Sequence, residues 1–416
     1  SSGMNIANTK RGPVDTVCPA MPLRFLLLIL LAVVSGCSTT GTSRDVKGSV
    51  ASLKPLTEIP EDQLLDVWIE VFDPGELPED EEDASGLSLD IRDAESRYMP
   101  VQLRNTMEKT GYWGAVRVVP QGTGGGEVMV RGAIQASDGE QLVLRITALD
   151  ATGRQWFSNT YESGVSLDSY QDQEQTMGEV FQPLYNTIAN DLVRFRTSLS
   201  ASDILSIRRV AELRFAGHLV PDAFGAHLKR EDNGHYTVTR LPAVDDPMYR
   251  RVKTIRERDF LLIDTLNGHF DNFYREMQKP YGDWRRTRTE EATALRKIKR
   301  DATRRKVIGV AAIAGAIAIE ALGNGNTRAS TGVLRDVMVV GGAYALKTGF
   351  DKDSETLIHK DAIEELGESF SSETRPLVVD VEGETHELSG SAEVQYTKWR
   401  ALLRRLYSAE TGLDSN

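Results

Sequence analysis

The chain has 416 residues, of which 40% are hydrophobic and 26% charged, so it has the composition of a folded protein with room for two or three domains. Its formal net charge is −12, and a uniformly acidic body binds nucleic acid poorly. Both cysteines, Cys18 and Cys37, lie near the N-terminus, so the body that follows has no disulfide and no thiolate zinc site. Because the net charge is acidic, we expect no nucleic-acid partner.

An apolar run near the N-terminus, Phe25–Val34, follows Arg24 and ends in Ser35-Gly36-Cys37. A basic residue, a hydrophobic segment, small residues and then a cysteine form the pattern of a bacterial lipoprotein signal. The run is too short to span a bilayer, which needs about 20 apolar residues. We predict that 1–36 is a signal peptide and that Cys37 carries lipid. An ordinary core helix or an uncleaved anchor is the alternative.

The segment after the predicted cleavage site indicates where the protein would reside. Ser38 follows the cysteine, and in lipoproteins that resemble this one a residue other than aspartate at that position implies transfer to the outer membrane. Residues 37–62 are rich in serine, threonine and glycine and lack periodicity, which predicts a tether. We therefore expect a body held at the periplasmic face of the outer membrane by lipid on Cys37.

Residues 63–165 have the patterns of a small α/β domain. Leu64–Phe72 alternates apolar and polar residues and predicts a strand, as does Ala115–Val119. Pro100–Thr110 predicts a short helix with Pro100 in its first turn. Three further alternating strands begin near Val128, Leu142 and Gln155.

Several short motifs in this region carry a resemblance to a known family. They are Gly-Tyr-Trp-x-x-Val-x-Val-Val at Gly111–Val119, Val-x-Gly at Val130–Gly132 and Asp-x-x-Gly-x-x-Trp at Asp150–Trp156. With the preceding strand and helix, Leu64–Glu162 resembles the α/β domain shared by the N-terminal part of TolB and by CsgG-like periplasmic lipoproteins. The resemblance implies a protein-interaction or assembly domain with no catalytic residues to carry over. Beyond it the chain departs, because it turns helical where TolB continues into a propeller and CsgG into pore-forming strands.

The segment 166–306 is predicted to be a helical domain. Apolar residues recur every three or four positions in four stretches: Thr176–Arg196, Ser202–Phe215, Asp246–Gln278 and Tyr281–Lys306. Pro183 predicts a kink or a later start of the first helix, and Ser200 is a plausible cap of the second. Pro280 predicts a break between the third and fourth helices.

The fourth of these helices ends in a basic cluster. Its candidate contacts with a membrane or with lipid headgroups are Arg300, Arg304, Arg305 and Lys306. One interpretation is a solvated face that is balanced by acids elsewhere in an acidic protein. The other is contact with anionic headgroups or lipopolysaccharide phosphate. Each basic residue near such a surface adds about 1 kcal/mol to the free energy of binding.

An apolar, glycine- and alanine-rich segment follows at 307–350. Val307–Leu322 contains only valine, isoleucine, glycine, alanine and leucine apart from Glu320, and Val333–Phe350 is similar. Small residues four apart let helix backbones approach closely, so we predict a tight helical hairpin. Three alternatives stay open: burial in a core or subunit interface, shallow membrane insertion, or an oligomeric pore. Glu320 and Asp336 disfavour a pore because charges are costly in lipid.

The C-terminal segment 351–416 completes the predicted architecture. Asp361–Phe370 predicts a short helix, Leu377–Val381 and Thr385–Ser389 a β-hairpin, and Ala392–Ala409 a closing helix. We therefore predict an α+β fold: a small α/β sheet domain, then a mainly helical region with a Gly/Ala-rich helical hairpin, then a C-terminal β-hairpin plus helix.

The usual catalytic patterns are missing from the sequence: it has no His-Glu-x-x-His, no Gly-x-Ser-x-Gly and no cysteine nucleophile in the body. Gly122–Gly126 predicts a flexible loop and not a dinucleotide fingerprint, because no helix pattern follows. His218, His227 and His235 lie in one irregular segment, but their spacing fits no known metal site. We expect surface or hydrogen-bonded histidines, and no cofactor or metal.

These patterns predict a lipid-anchored, non-enzymatic assembly, scaffold or secretion-support component with protein partners in the periplasm, and homo-oligomerisation stays open. One alternative is a hydrolase of peptidoglycan or another glycan, whose carboxylate pair is defined only in space. Another is a component of an oligomeric membrane pore. A carboxylate-lined cleft would favour the hydrolase, and continuous apolar exposure on the hairpin would favour the pore.

Overall fold

A computed structural model describes residues 41–78, 87–176, 178–322, 359–368, 370, 377–381 and 384–411. Side chains of 301–322 lie outside this description, as do Cys37 and the second arm of the predicted hairpin, Val333–Phe350. The first arm, Val307–Leu322, is helical. Thr42–Asn416 forms one unit of the chain.

The centre of this unit is a mixed six-stranded sheet. Its strands are β1 (Ser43–Val46), β2 (Val67–Glu70), β3 (Val116–Val119), β4 (Val128–Ser137), β5 (Gln141–Asp150) and β6 (Gln155–Gly164). The strand order is β1-β6-β5-β4-β2-β3. β2 runs parallel to β3 and β4, whereas β4, β5 and β6 form an antiparallel meander. Sheet and helices together confirm the predicted α+β class.

The helices are α1 (Leu89–Glu108), α2 (Leu167–Thr176), α3 (Gln182–Thr197), α4 (Ala201–Leu219), α5 (Pro221–Phe224), α6 (Pro247–Leu322) and α7 (Ala392–Thr411). Residues 359–368 are also helical, as predicted. Two small hairpins pair β7 (Leu228–Arg230) with β8 (Tyr236–Val238) and β9 (Leu377–Val381) with β10 (Glu384–Leu388). The second hairpin and α7 confirm the predicted C-terminal elements.

Strand β2 is buried on both faces of the sheet. Val67 and Ile69 join one core cluster, with side chains of α1 and α3, whereas Trp68 joins a second cluster with side chains of α6 and α7. Successive side chains of a strand point to opposite faces, so each face of β2 carries its own core. The central sheet therefore lies between two helical layers.

A side chain of α6 closes the outer edge of β3. Asn267 Oδ1 accepts a hydrogen bond from the Val118 N–H at 2.8 Å, and Asn267 Nδ2 donates to the Val118 carbonyl at 3.0 Å. These bonds stand in for the strand neighbour that an edge strand lacks, and they protect the edge from pairing with another chain. α6 runs past this edge, so Leu262 enters the second core cluster and Met277 the first.

The predicted start of α1 is wrong. Pro100 lies in the middle of the helix, which begins at Leu89 with Ser88 as its N-cap. A proline in a helix leaves the carbonyl four residues earlier without its usual donor. Here that carbonyl belongs to Ser96, and it accepts a hydrogen bond from the Phe72 N–H at 2.9 Å. A tertiary contact with the chain after β2 thus replaces the lost helical bond.

The break predicted at Pro280 is also wrong, because α6 continues through this proline and has 76 residues in all, a length of about 114 Å if straight. An internal proline costs a helix about 3 kcal/mol. Met277, Tyr281 and Trp284 are each no more than 1% exposed, so both sides of the proline contribute to one buried stripe. Burying large apolar side chains gains about 1.5–3 kcal/mol each, which outweighs the cost of the proline.

Other helix signals are confirmed. α3 starts at Gln182 with Pro183 in its first turn, which is the later start that the proline predicted. Ser200 caps α4 in a capping box with Asp203: each side chain bonds the other residue's backbone N–H. Both helices therefore begin where local chemistry indicated.

The Asp150–Trp156 motif forms a turn between β5 and β6. The buried Asp150 carboxylate accepts hydrogen bonds from the Thr152 N–H and the Trp156 indole N–H, each at 2.9 Å. Gly153 adopts φ +85°, a conformation that side-chain-bearing residues rarely take. The motif is thus explained by turn geometry and needs no ligand.

Part of the segment assigned to the tether joins the sheet. Ser43–Val46 forms β1 and pairs in parallel with β6. Asn190 of α3 then holds the following segment, because its side chain donates to the Ala51 carbonyl and accepts from the Leu53 N–H, both at 2.8 Å. These contacts are long-range in sequence, so the local composition of 37–62 contains no signal for them.

Candidate functional site: an arginine-lined cleft

A cleft of about 660 Å³ opens beside the second core cluster. The glycine-rich loop after β3 forms one wall, and α4, the β7–β8 hairpin and α7 form the others. Its arginine, histidine and carboxylate lining residues are Arg214, Arg230, Arg400, Arg404, His218 and Glu393. Four separate regions of the chain therefore supply the site.

Arg400 forms a rigid part of the cleft wall. Its Nη2 donates to the Gly124 carbonyl at 2.9 Å and lies 3.2 Å from Asp259 Oδ2, while its Nε donates to the Tyr396 hydroxyl at 2.6 Å. The guanidinium also lies 5.0 and 5.2 Å from the ring centres of Phe215 and Tyr396. These contacts hold the charged group in place before any ligand arrives.

Asp259 supplies the negative partner behind this wall. It is fully buried on α6, where the sequence shows a single polar member in an apolar stripe. Burial raises the pKa of the Asp259 carboxyl, and the Arg400 guanidinium opposes that shift. The polar exception in the stripe thus orients an arginine of the cleft.

Tyr236 organises two more arginines at the opposite wall. The Arg214 guanidinium lies 4.6 Å from the Tyr236 ring centre, and that of Arg230 lies 6.0 Å from it. Arg214 Nη1 also donates to the Ala151 carbonyl at 3.0 Å. Stacking on a ring and a backbone bond together restrict Arg214, whereas Arg230 is exposed at the cleft.

His218 and Arg404 meet across α4 and α7, with Nη2 of the arginine 3.3 Å from Nε2 of the histidine. Burial lowers the pKa of His218, and repulsion from Arg400 and Arg404 lowers it further. The imidazole is therefore neutral at neutral pH. It can accept a hydrogen bond from Arg404 in that form.

The glycine-rich loop reaches the cleft because it packs closely on the sheet. Gly122 and Gly125 adopt φ +74° and +139°. A Cβ at Gly126 would lie 2.8 Å from the Trp68 side chain, closer than real contacts allow. The predicted loop is confirmed, and its glycines allow the Gly124 carbonyl to reach Arg400.

Positive charge exceeds negative charge in this cleft. The four arginines face one lining carboxylate, Glu393, and the buried Asp259, which leaves a formal charge of +2 with His218 neutral. This surplus occurs in a chain whose net charge is −12. Arginine forks match carboxylate and phosphate oxygens, so the arrangement suits an anionic ligand.

Among the lipidation and membrane-contact residues that the sequence singled out, the one with a described side chain, Arg300, does not line the cleft. Arg300 is exposed on α6, and its Nε donates to the Arg296 carbonyl at 3.4 Å. Residues 304–306 continue the same helix, and their side chains lie outside the description. Cys37 also lies outside the described residues. Their predicted roles therefore stay predictions.

The histidine segment separates into individual side chains. His218 lines the cleft, His227 lies 3.0 Å from the Arg240 carbonyl through Nδ1, and His235 is exposed. Among the described residues, no group of three or more histidine, cysteine, aspartate or glutamate side chains is arranged to hold a metal ion.

Sequence reasoning missed the cleft because its arginines come from distant segments. The one local signal is Arg400 with Arg404, which are four residues apart and so share a face of α7. Nothing in the sequence pairs them with Arg214 or Arg230, which are more than 150 residues earlier. Only the folded chain brings the four together.

Comparison with known proteins finds no similar protein. No family model, curated protein or solved structure matches this chain. Within the described part of the chain, no helix combines the length and apolar character needed to cross a membrane.

Proposed function

We propose that this chain is a lipid-anchored protein at the periplasmic face of the outer membrane that acts by binding, as a non-enzymatic assembly, scaffold or secretion-support component. The cleft carries the binding role, because it presents preoriented arginines and a positive surplus to solvent. The signal pattern that ends at Cys37 supports the location.

The length of chain after Cys37 supports a body held close to the bilayer. β1 begins at Ser43, and six peptide steps separate it from Cys37. A fully extended chain advances about 3.3–3.6 Å per residue, so this stretch reaches at most about 22 Å. Lipid on Cys37 would keep β1 within that distance of its attachment point.

The hydrolase alternative receives no support from this cleft. A glycoside hydrolase needs two carboxyl groups, roughly 5–9.5 Å apart, on either side of the scissile bond. Among the described residues that line the cleft, Glu393 is the single carboxylate. The pore alternative depends on 307–350, and no observation on its described part, Val307–Leu322, favours it.

The location is tested by metabolic labelling with a palmitate analogue and by fractionation of cells that express the wild type or Cys37→Ser. We expect label and outer-membrane fractionation for the wild type, and an unlabelled soluble periplasmic protein for the variant. An unlabelled wild type, or label that persists in Cys37→Ser, would contradict the anchored location.

The binding role is tested by photo-crosslinking in intact cells. A photoreactive residue at Thr397, which is exposed and lines the cleft, should form an adduct that is lost when Arg404→Ala is added. The matched control carries the same residue at Arg405, which is exposed on α7 outside the cleft, and should form no such adduct. Equal adducts at both positions would contradict a specific role of the cleft.

A further inference from the structure

We propose that the arginine-lined cleft binds a phosphate group, carried by a soluble phosphate ester or by a lipid headgroup. The inference deepens the binding role proposed above, and it depends neither on lipid at Cys37 nor on the location of the protein. It rests on three features of the cleft: preorganisation, charge and access.

Preorganisation is clearest at Arg400. Three polar groups and two aromatic rings hold its guanidinium, and its side chain is only 11% exposed. Its Nη1 has no hydrogen-bond partner among the described residues, so one nitrogen of the fork is left for a ligand. Binding to a side chain that is already fixed avoids the entropic cost of ordering it.

The charge of the cleft matches a phosphate monoester better than a monocarboxylate. A phosphate monoester carries a charge of roughly −1.5 to −2 at neutral pH and three acceptor oxygens. The cleft has a formal charge of +2 and four guanidinium groups. A monocarboxylate would leave about half of that positive charge unpaired, whereas a phosphate neutralises it.

The cleft is also accessible, because two of its arginines reach solvent. Arg230 and Arg404 are exposed at the opening, while Arg214 and Arg400 are more buried. An anion that enters therefore meets the exposed guanidinium groups first and the more buried ones deeper inside. Tyr236 and Tyr396 lie against these arginines, with Arg214 over the first ring and Arg400 over the second.

The test uses the mature chain from residue 37 with Cys37→Ser, so that no lipid is attached. Calorimetric titrations with inorganic phosphate and glycerol 3-phosphate, at constant ionic strength, are compared with acetate. We expect saturable binding of at least one phosphate probe, with acetate binding at least about tenfold more weakly. Sedimentation with phosphatidylcholine vesicles, with and without phosphatidic acid, tests the headgroup source in parallel.

The exposed arginines provide variants that should fold normally. Arg404→Ala and Arg230→Ala should each weaken phosphate binding about tenfold, the loss expected when a charge-assisted hydrogen bond disappears. Arg405→Ala and Arg209→Ala remove the same charge from exposed positions of α7 and α4 outside the cleft, and should change affinity less than about twofold. Arg400→Lys keeps the charge but loses the fork, and should also weaken binding.

Each outcome decides the inference. Binding of soluble phosphate that depends on Arg404 assigns a soluble ester, whereas binding only to vesicles with phosphatidic acid, with the same dependence, assigns a headgroup. Absence of both kinds of binding overturns the inference. Equal losses in Arg404→Ala and Arg405→Ala, or acetate that binds as tightly as phosphate, also overturn it, because general charge attraction would then explain the binding. Labelling and fractionation can succeed in any of these cases, so the two proposals fail separately.

Discussion

Two groups of arginine, tyrosine and carboxylate side chains in this protein differ in how completely their charges are paired. One lies buried between α1, the sheet and α6, and the other forms the cleft. In the buried group, Glu95 Oε1 accepts hydrogen bonds from Ser137 Oγ at 2.6 Å and from the Tyr281 hydroxyl at 2.7 Å. Its Oε2 lies 3.4 Å from Arg92 Nη1.

A second ion pair completes the buried group. Arg285 donates to both carboxylate oxygens of Glu179, at 2.7 and 3.0 Å, and its guanidinium lies 4.3 Å from the Tyr281 ring centre. The side chains of the arginine and the glutamate are 3% and 7% exposed. The opposite charges of this group are paired and buried, so the group joins α1 to α6 and to the segment before α3.

The cleft contains similar residue types but leaves the positive charge in excess and in contact with solvent. Arg400 is paired and stacked, yet it faces an opening with three further arginines. The comparison teaches that the balance of charge and the access of solvent separate a structural polar cluster from a candidate binding site. Four experiments test this distinction, in order of decreasing effect.

The largest effect is expected when the buried group is broken. Arg285→Ala leaves the Glu179 carboxylate buried without its partner, which should lower the free energy of unfolding by about 3–5 kcal/mol. Urea denaturation measures this change. Lys279→Ala removes an exposed ion pair from the same helix and should cost less than about 1 kcal/mol. Equal losses of stability in Arg285→Ala and Lys279→Ala would contradict a structural role of the buried pair. Phosphate affinity should remain unchanged in both variants.

A smaller effect on stability, combined with a loss of binding, is expected in the cleft. Arg400→Ala leaves the buried Asp259 unpaired and should lower the free energy of unfolding by about 1–3 kcal/mol. The same substitution should also abolish phosphate binding. Adding Asp259→Asn should restore most of the stability because the unpaired charge is gone, but it should not restore binding. Urea denaturation and calorimetry measure the two properties. Recovery of both, or of neither, would contradict the separate roles of the two residues.

The pH dependence of stability should reveal Glu95. Burial raises the pKa of the Glu95 carboxyl, opposed mainly by Arg92 and the Ser137 and Tyr281 hydroxyls. The folded chain then holds this proton to a higher pH than the unfolded chain, whose glutamate titrates near pH 4.3. Stability relative to Glu95→Gln should therefore fall as pH rises from about 4 towards the raised pKa. Urea denaturation at several pH values measures how the difference in free energy of unfolding between the wild type and Glu95→Gln changes with pH. If this difference rises with pH, the hydrogen bonds to Glu95 affect its pKa more than burial does.

The smallest effect is a shift in the titration of His218. Burial and repulsion from Arg400 and Arg404 hold the pKa of His218 below its ordinary value. The pKa should rise in Arg404→Ala, because one repelling charge is gone, and it should also rise when phosphate occupies the cleft. Ring signals in nuclear magnetic resonance spectra report both shifts. Arg405→Ala is the control, and an unchanged pKa of His218 in Arg404→Ala would show that Arg404 does not contribute to the shift.

Most elements of the fold could be predicted from local patterns. Strands β2 to β6 of the central sheet, the later start of α3 and the cap of α4 follow from alternation, proline and capping chemistry that act within a few residues. One error is the tether, part of which joins the sheet as β1, and the other two concern prolines. Pro100 and Pro280 are tolerated inside helices because a tertiary hydrogen bond or a buried stripe compensates them, and neither compensation is local in sequence.

The sequence by itself determined the α+β class, the positions of strands β2 to β6 and of most helices, and the glycine-rich loop, because helix and strand periodicity and turn chemistry depend on near neighbours. Tertiary structure decided that β1 joins the sheet, that Asn267 closes the β3 edge and that Asp259 orients Arg400. It also brought four arginines into one cleft. Electrostatic complementarity acts between side chains that are close in space, and that closeness exists only once α4, α6 and α7 pack around the sheet.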